Sequence, residues 1–262
     1  GVVFDRRASS WPYGKQIAAI IVNNPVAGYH TGMSTIASKL QTTDRVRGIA
    51  AALEEEIVLG WLMPRERLVE ENLAERLEVK RHVVREALAE LERVGLIERV
   101  PNRGAFVKLL DPTEVRQIYS VREALETLAA EQIPMPAPDR LLARLEEIQG
   151  AHSKAVASGD ARAAFRANMA FHETLFAACG NPHLVELIQA MAQKVHGARS
   201  ITAASPEHLT LARDEHLRMI AAIKVGDRER LVTLCRKHLG PSRDAYIAAA
   251  EARFARSKPI TR

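Results

Sequence analysis

Aromatic residues, cysteine and long hydrophobic runs are all scarce in this chain. Phe, Trp and Tyr make up 5% of its 262 residues, and Cys179 and Cys235 are its only cysteines. Two cysteines without a Cys-x-x-Cys pair exclude a disulfide framework and a sulfur-rich zinc site, and they fit a reducing cytoplasm. The longest early apolar run, Ile17 to Val22, is too short to span a bilayer. It also lacks the layout of a signal peptide, so no membrane association is expected. Beyond residue 110 there is no strand signal, and no internal repeat occurs anywhere.

Apolar residues form 47% of the chain, ordinary for a globular core. Alanine, leucine, glutamate and arginine dominate, a mix that favours helices. The net charge of +5 permits an anionic partner. Its distribution within 44–110 says more. Acidic residues gather in Glu54, Glu55, Glu56, Glu66, Glu70 and Glu71, and basic ones in Arg76, Lys80, Arg81 and Arg85. A segregated basic edge is a nucleic-acid footprint.

Residues 1–43, with Pro12, Gly14, Asn23-Asn24-Pro25, Gly28 and Gly32, read as an irregular N-terminal arm. From Asp44 the pattern changes. Val46, Ile49, Ala50, Leu53 and Ile57 recur at helical spacing and predict a helix over 44–59. Gly60 and Pro64 end it. Val69, Leu73, Ala74 and Leu77 predict a second helix, Glu78-Val79 a turn, and Lys80 to Val94 a third helix stopped by Gly95. Two β-prone runs then flank Pro101-Asn102-Arg103-Gly104, a hairpin pattern. Residues 44–110 are therefore expected to form a winged helix-turn-helix DNA-binding domain. Six further helical stretches follow, roughly 111–132, 137–157, 159–178, 181–202, 206–225 and 227–255. They predict an all-helical, six-helix antiparallel bundle over 111–257, with a tail at 258–262. Asp160, Asn181 and Ser205 stand where N-caps are expected. The fold class is mainly α.

A recognition helix presents long donors near its N-terminus. Arg81 and Arg85 are four apart and share one face. Either can bind guanine O6 and N7 with two hydrogen bonds. Lys80 and His82 stand beside them, and Arg103 at the hairpin tip can reach the DNA backbone or minor groove. A lone basic cluster usually forms a solvated face; this one opens the third helix of a trihelical unit followed by a wing.

The sequence of residues 73–88, Leu-Ala-Glu-Arg-Leu-Glu-Val-Lys-Arg-His-Val-Val-Arg-Glu-Ala-Leu, resembles the helix-turn-helix of the GntR family of bacterial regulators. Residues 91–97 and 101–107 are similar to that family's wing. Where the family often has Ser-Arg-Thr-Pro, this chain has Lys80-Arg81-His82-Val83.

In the second half, Asn168 and His172 are four apart on one helical face, and His216 and His238 fall on separate predicted helices. Any one histidine is more often surface or core than ligand. Three imidazoles converging in a bundle suit zinc, nickel or a similar ion, with open positions for water or a ligand. This half is similar to the FCD effector domain of the FadR-type GntR subfamily, and its helix count to the VanR-like branch. Asn168-Met-Ala-Phe171-His172, Gly180-Asn181, Glu215-His216 and Arg236-Lys237-His238-Leu239 carry that resemblance, with Asn168 standing where Asp is usual.

The resemblance implies a divalent metal, zinc foremost with nickel or manganese as alternatives, held by Asn168, His172, His216 and His238. It also implies a small carboxylate effector, for which Arg122 and Arg199 are candidate clamps. The expected protein is a homodimeric, cytoplasmic, nucleoid-associated regulator, a repressor by the family's commoner pattern. It would bind a short near-palindromic double-stranded DNA operator. Two rivals are weighed against it. A metal-dependent enzyme on the bundle would need a general base, yet no HExxH or paired-carboxylate motif is present and Glu215 is expected to point away from its neighbour His216. A non-specific architectural DNA-binding protein would bind DNA without sequence preference. No enzymatic activity is expected.

Overall fold

In the computed structural model, which describes residues 33–203 and 205–256, helix α1 runs Met33–Val58. Residues 33–43, expected to be irregular, are therefore helical. Neither Gly nor Pro interrupts the chain from Met33 to Arg47, so a helix nucleated by the packed part extends at one hydrogen bond per residue. Residues 1–32 of the expected arm, with its apolar run, and the tail at 258–262 lie outside the described residues.

Val46, Ile49, Ala50, Leu53 and Ile57 line one face of α1 and share a core with Val83, Val84, Ala87, Leu88 and Leu91. Those five belong to α3 (Arg81–Arg93), preceded by α2 (Glu70–Arg76). Glu78, with φ of 53°, makes the turn between α2 and α3. Gly95, with φ of 84°, ends α3 in a conformation that glycine adopts without strain. The hairpin is β2 (Ile97–Val100) and β3 (Gly104–Val107), reversed through Asn102 at φ of 60°. A strand not foreseen, β1 (Arg67–Leu68), pairs antiparallel with β3 and gives the order β1-β3-β2. Two residues are too few for a periodic signal.

The second half holds α4 (Pro112–Gln132), α5 (Asp139–Ser158), α6 (Ala161–Ala177) and α7 (Pro182–Lys194). A 3-10 segment (His196–Ile201), α8 (Pro206–Lys224), α9 (Arg228–His238) and α10 (Gly240–Arg256) complete it. Asp160, Asn181 and Ser205 cap their helices as expected, accepting from the backbone N–H of Ala163, Leu184 and His208. The stretch expected over 181–202 tightens to 3-10 geometry after Val195, where Gly197 weakens helical preference. The stretch over 227–255 is divided at Leu239, just before Pro241, which has no N–H for the helical ladder. One core gathers Ala129, Ile133, Leu145, Phe171, Leu175, Met219, Ile223 and Cys235. Another joins Val115, Tyr119, Val195, Ala198 and Tyr246. The Tyr246 hydroxyl donates to the Leu110 carbonyl at 2.8 Å and pins the segment after the wing onto α10.

The two halves meet along α1. Glu54 pairs with Nδ1 of His196 at 2.5 Å. Glu55, only 7% exposed, forms an ion pair with Arg162 Nε at 3.0 Å and accepts hydrogen bonds from the Arg166 guanidinium, both on α6. The Arg162 guanidinium also lies 4.8 Å from the ring centre of Trp61. Opposite charges beside α1 thus offset the burial of its carboxylates.

Candidate DNA-binding face and effector-domain site

The inward Val83-Val84 pair turns Lys80, Arg81, His82 and Arg85 outward, and all four are exposed at the N-terminal end of α3. The charge segregation seen along the sequence does not survive in space. Helix α2 crosses α3 and sets its acids against the recognition face. Glu70 accepts from Arg85 Nε at 3.2 Å and Nη2 at 2.9 Å, and Glu71 lies 3.9 Å from Arg81. The Arg85 hydrogen bonds hold the Glu70 carboxyl below the usual carboxylate range. Arg76 leaves the basic edge to form two hydrogen bonds with Glu56, at 3.1 and 2.7 Å. Arg103 is exposed at the wing tip, its guanidinium 5.6 Å from the ring centre of Phe106.

In the helical half, α6 contributes Asn168 and His172, α8 contributes Glu215 and His216, and α9 ends on His238. Nε2 of His172 lies 3.3 Å from Nε2 of His216 and 3.1 Å from Nε2 of His238. The remote nitrogens fix the tautomers of two rings. Nδ1 of His216 donates to Gln149 Oε1 at 3.0 Å, and Nδ1 of His238 donates to Glu215 Oε2 at 2.6 Å. Their Nε2 lone pairs are thereby aimed inward at His172. Glu215, expected to point elsewhere, instead turns to α9 and orients His238. One proton on His172 Nε2 could satisfy one of these contacts but not both. Burial pushes the His172 and His216 imidazoles well below their ordinary pKa, and the His238 charge adds to it. The imidazoles of His172 and His216 are therefore held in the neutral form, which can donate a lone pair to a metal. Ligands about 2.0–2.1 Å from a tetrahedral ion stand about 3.3–3.4 Å apart, which the two spacings from His172 approach, and the ligand atoms of all three histidines lie within 4.8 Å of one another. Phe171 lies flat against His216, ring centres 4.0 Å apart, and holds that ring from the core side.

Beside the trio lies a cavity of about 90 Å³, lined by residues that include His152, Asn168, Arg199, Thr202, His238 and Ser242. Asn168, half-buried one turn before His172, borders it. Arg199 projects from the 3-10 segment. Its Nη1 reaches only the Met169 sulfur at 3.7 Å, and its buried Nε has no partner. Burial, reinforced by the Arg122 charge, lowers its pKa from the ordinary arginine value. Arg122 is placed differently. It is buried on α4, bonded to Glu126 at 2.8 Å and set over the Tyr119 ring at 5.0 Å. It is not among the residues bordering the cavity.

His152 is the residue that sequence reasoning passed over as a lone histidine. It is fully buried on α5, and neither of its ring nitrogens has a hydrogen-bond partner. Burial pushes its pKa down to about 4. The available signal was its register: Leu145, Ile148, His152 and Ala155 form one inward stripe. Gln149 and Glu215 were also missed, because their roles depend on contacts between helices far apart in sequence.

A winged helix-turn-helix joined to a helical domain that places a cavity beside three convergent histidines defines a DNA-binding transcriptional regulator. Residues 45–107 match the model of the bacterial regulatory proteins of the gntR family, and residues 117–240 match the FCD domain. The chain is 30% identical to the uncharacterized HTH-type transcriptional regulator YdhC of Bacillus subtilis over 178 residues, covering 68% of this chain and 80% of that protein. It is 26% identical to the HTH-type transcriptional repressor GlaR of Escherichia coli, covering 71% and 89% of the two. Its fold is shared with the crystal structure of a putative transcriptional regulator GntR from Rhodococcus sp. RHA1, at a TM-score of 0.67 and 21% identity, over 79% of this chain and 99% of that one. The chain belongs to the GntR family of transcriptional regulators and carries an FCD effector domain. The matched families and relatives are regulators, not enzymes. No described helix is long and apolar enough to cross a membrane.

Proposed function

We propose that this regulator is a homodimeric repressor, and that a small carboxylate bound beside a divalent metal in the FCD domain controls its affinity for a short near-palindromic operator. One observation carries the effector reading: three histidines converge through their Nε2 atoms, and one of them, His238, borders a cavity that also holds Arg199, an arginine without a carboxylate partner among the described residues. His172, His216 and His238 hold the metal, zinc foremost with nickel or manganese as alternatives, and the Asn168 amide oxygen faces the same space. When bound, the ion supplies a coordination position for one carboxylate oxygen. Arg199 takes a second oxygen of the ligand by charge-assisted hydrogen bonding. Arg122, committed to Glu126, adds positive potential rather than contact. Asn168 in place of a carboxylate leaves the site one negative charge poorer, which favours an anion.

On the DNA side, Arg81 and Arg85 read base edges, Lys80 and His82 flank them, and Arg103 holds the backbone or minor groove. Pairing of two protomers spaces their recognition helices by about 34 Å, one helical turn of DNA. The contacts of Glu54 and Glu55 support coupling between the sites. Arg199 shares the 3-10 segment with His196, and the ligands Asn168 and His172 share α6 with Arg162 and Arg166. Ligand that moves either element biases α1, and by reciprocity DNA biases ligand affinity. The protein acts in the cytoplasm, on the nucleoid.

The test is fluorescence anisotropy of the zinc-loaded full chain on its own upstream promoter fragment and on scrambled DNA, with small carboxylates titrated in. Preference for the promoter that falls on addition of a carboxylate supports the proposal. Equal binding to both DNAs favours an architectural role and sinks the repressor reading, and turnover of an added carboxylate would return the metalloenzyme.

A further inference from the structure

The cavity beside the histidine trio contains one more polar group than a simple carboxylate needs. His152 borders it from α5. It is 0% exposed, and both Nδ1 and Nε2 are without partners. Buried polar atoms are nearly always hydrogen-bonded, so two unpaired nitrogens on one ring call for an acceptor or donor that none of the described residues provides.

The neighbours of His152 do not provide it. Gln149, one turn earlier on the same helix, spends its side chain on His216 Nδ1, Ser153 Oγ and the Arg213 carbonyl. Orientation of His216 is therefore complete without His152. The two rings meet at a tilt, 5.2 Å between centres and 50° between planes, with no nitrogen-to-nitrogen hydrogen bond. Among the described residues Glu215 is the only acidic one bordering the cavity, and His238 occupies it. Arg199, whose Nε is likewise unpaired, borders the same space. Two separate donors thus face one cavity that offers neither of them a free carboxylate.

We propose that His152 is a specificity-determining residue that hydrogen-bonds a second oxygen function of the effector, so that the cavity selects a small hydroxy acid or dicarboxylate over a plain monocarboxylate. This inference rests on the carboxylate-effector reading above. A neutral imidazole offers one N–H donor and one acceptor nitrogen, and it pairs equally with a hydroxyl or with a carboxylate oxygen. One carboxylate meets the metal and Arg199, and the second oxygen group meets His152. At about 90 Å³ the cavity suits acids of a few carbons rather than drug-sized ligands. A site built around a buried polar partner rejects the analogue that lacks the matching group, because the partner is left unpaired.

The experiment is isothermal titration of the zinc-loaded full chain with propionate, lactate and malonate, three acids of similar size. Wild type is expected to bind lactate or malonate at least tenfold more tightly than propionate. His152→Phe is expected to bring that preference within threefold, with zinc affinity and propionate affinity unchanged within threefold. His152→Asn, which keeps a donor and an acceptor, is expected to recover part of the preference and guards against a folding defect in the phenylalanine variant. A preference that survives His152→Phe overturns the proposal, as does equal weakening for all three acids. Loss of zinc affinity in both variants makes His152 a metal ligand and overturns it as well. If wild type binds the acids without preference, the His152 proposal fails alone. If it binds none of them, the carboxylate reading fails and takes this one with it.

Discussion

His196 and Glu54 meet at 2.5 Å, and their contact fastens the segment that carries Arg199 to the first helix of the DNA-binding domain. Burial lowers the His196 pKa below the ordinary imidazole value, and the Glu54 carboxylate opposes that shift without reversing it. One residue later on α1, Glu55 binds the helix that carries His172. Both arms of the effector site thus end on adjacent carboxylates.

Glu55→Gln is expected to uncouple the two domains. Removing one member of a buried charged hydrogen-bond set costs about 1–3 kcal/mol of stability. DNA binding and ligand binding each persist, while the coupling between them, about 1–3 kcal/mol in regulated systems, falls toward zero. Promoter anisotropy with and without the releasing carboxylate measures it. Undiminished release in the variant refutes the relay.

Arg85→Ala and Arg81→Ala are each expected to cost about 1–3 kcal/mol of discrimination between promoter and scrambled DNA. Glu70→Gln acts in the opposite direction, because it frees Arg85 from an intramolecular partner. Its affinity for scrambled DNA is expected to rise, with a steeper salt dependence. Binding curves at two salt concentrations distinguish these outcomes, and a Glu70→Gln variant weaker on all DNA contradicts the assignment.

Zinc is expected to raise the melting temperature of the chelator-treated protein. At a hundredfold excess over the dissociation constant the stabilisation is about 2.7 kcal/mol, a shift of several degrees. His216→Ala and His238→Ala abolish the shift. Differential scanning fluorimetry reports it, and a wild-type curve indifferent to zinc, nickel and manganese counts against a metal centre.

The metal-free protein is expected to lose stability on acidification through the His152 window. The unfolded imidazole binds its proton near pH 6.5 and the folded one only near 4. Between these values the unfolded state holds more protons, so stability is fully present above about 6.5 and falls as pH drops toward 4. The loss amounts to ~3 kcal/mol for this residue, from 1.36 kcal/mol per pH unit. Midpoints of urea unfolding at pH 7, 6 and 5 test the sign. His152→Phe flattens the profile, and a profile identical to wild type removes His152 as its cause.

Local chemistry made most of the fold readable in the sequence. The helices of the reader follow from the 3–4 spacing of Val46, Ile49, Leu53, Val83, Val84 and Leu88, and the bundle boundaries follow from caps such as Asp160, Asn181 and Ser205. Where reading stopped, a long-range partner decided the outcome. Gly48 and the apparent end of order near Asp44 gave no hint that α1 starts at Met33. The pairing of β1 with β3 spans too few residues to leave a period. Among site residues, the histidine trio was legible from motif resemblance. The orientation of Glu215 toward His238, the escort of Arg85 by Glu70, and the unpaired state of His152 all depend on which helices cross, and a one-dimensional pattern does not contain that.

Arg162, Arg166 and His196 hold α1 from positions outside the cavity wall, while Arg199, Asn168 and His152 form that wall. The fastening and the recognition chemistry are therefore separable by mutation. Substitutions in the wall can change what the cavity accepts while the grip on the reader stays intact.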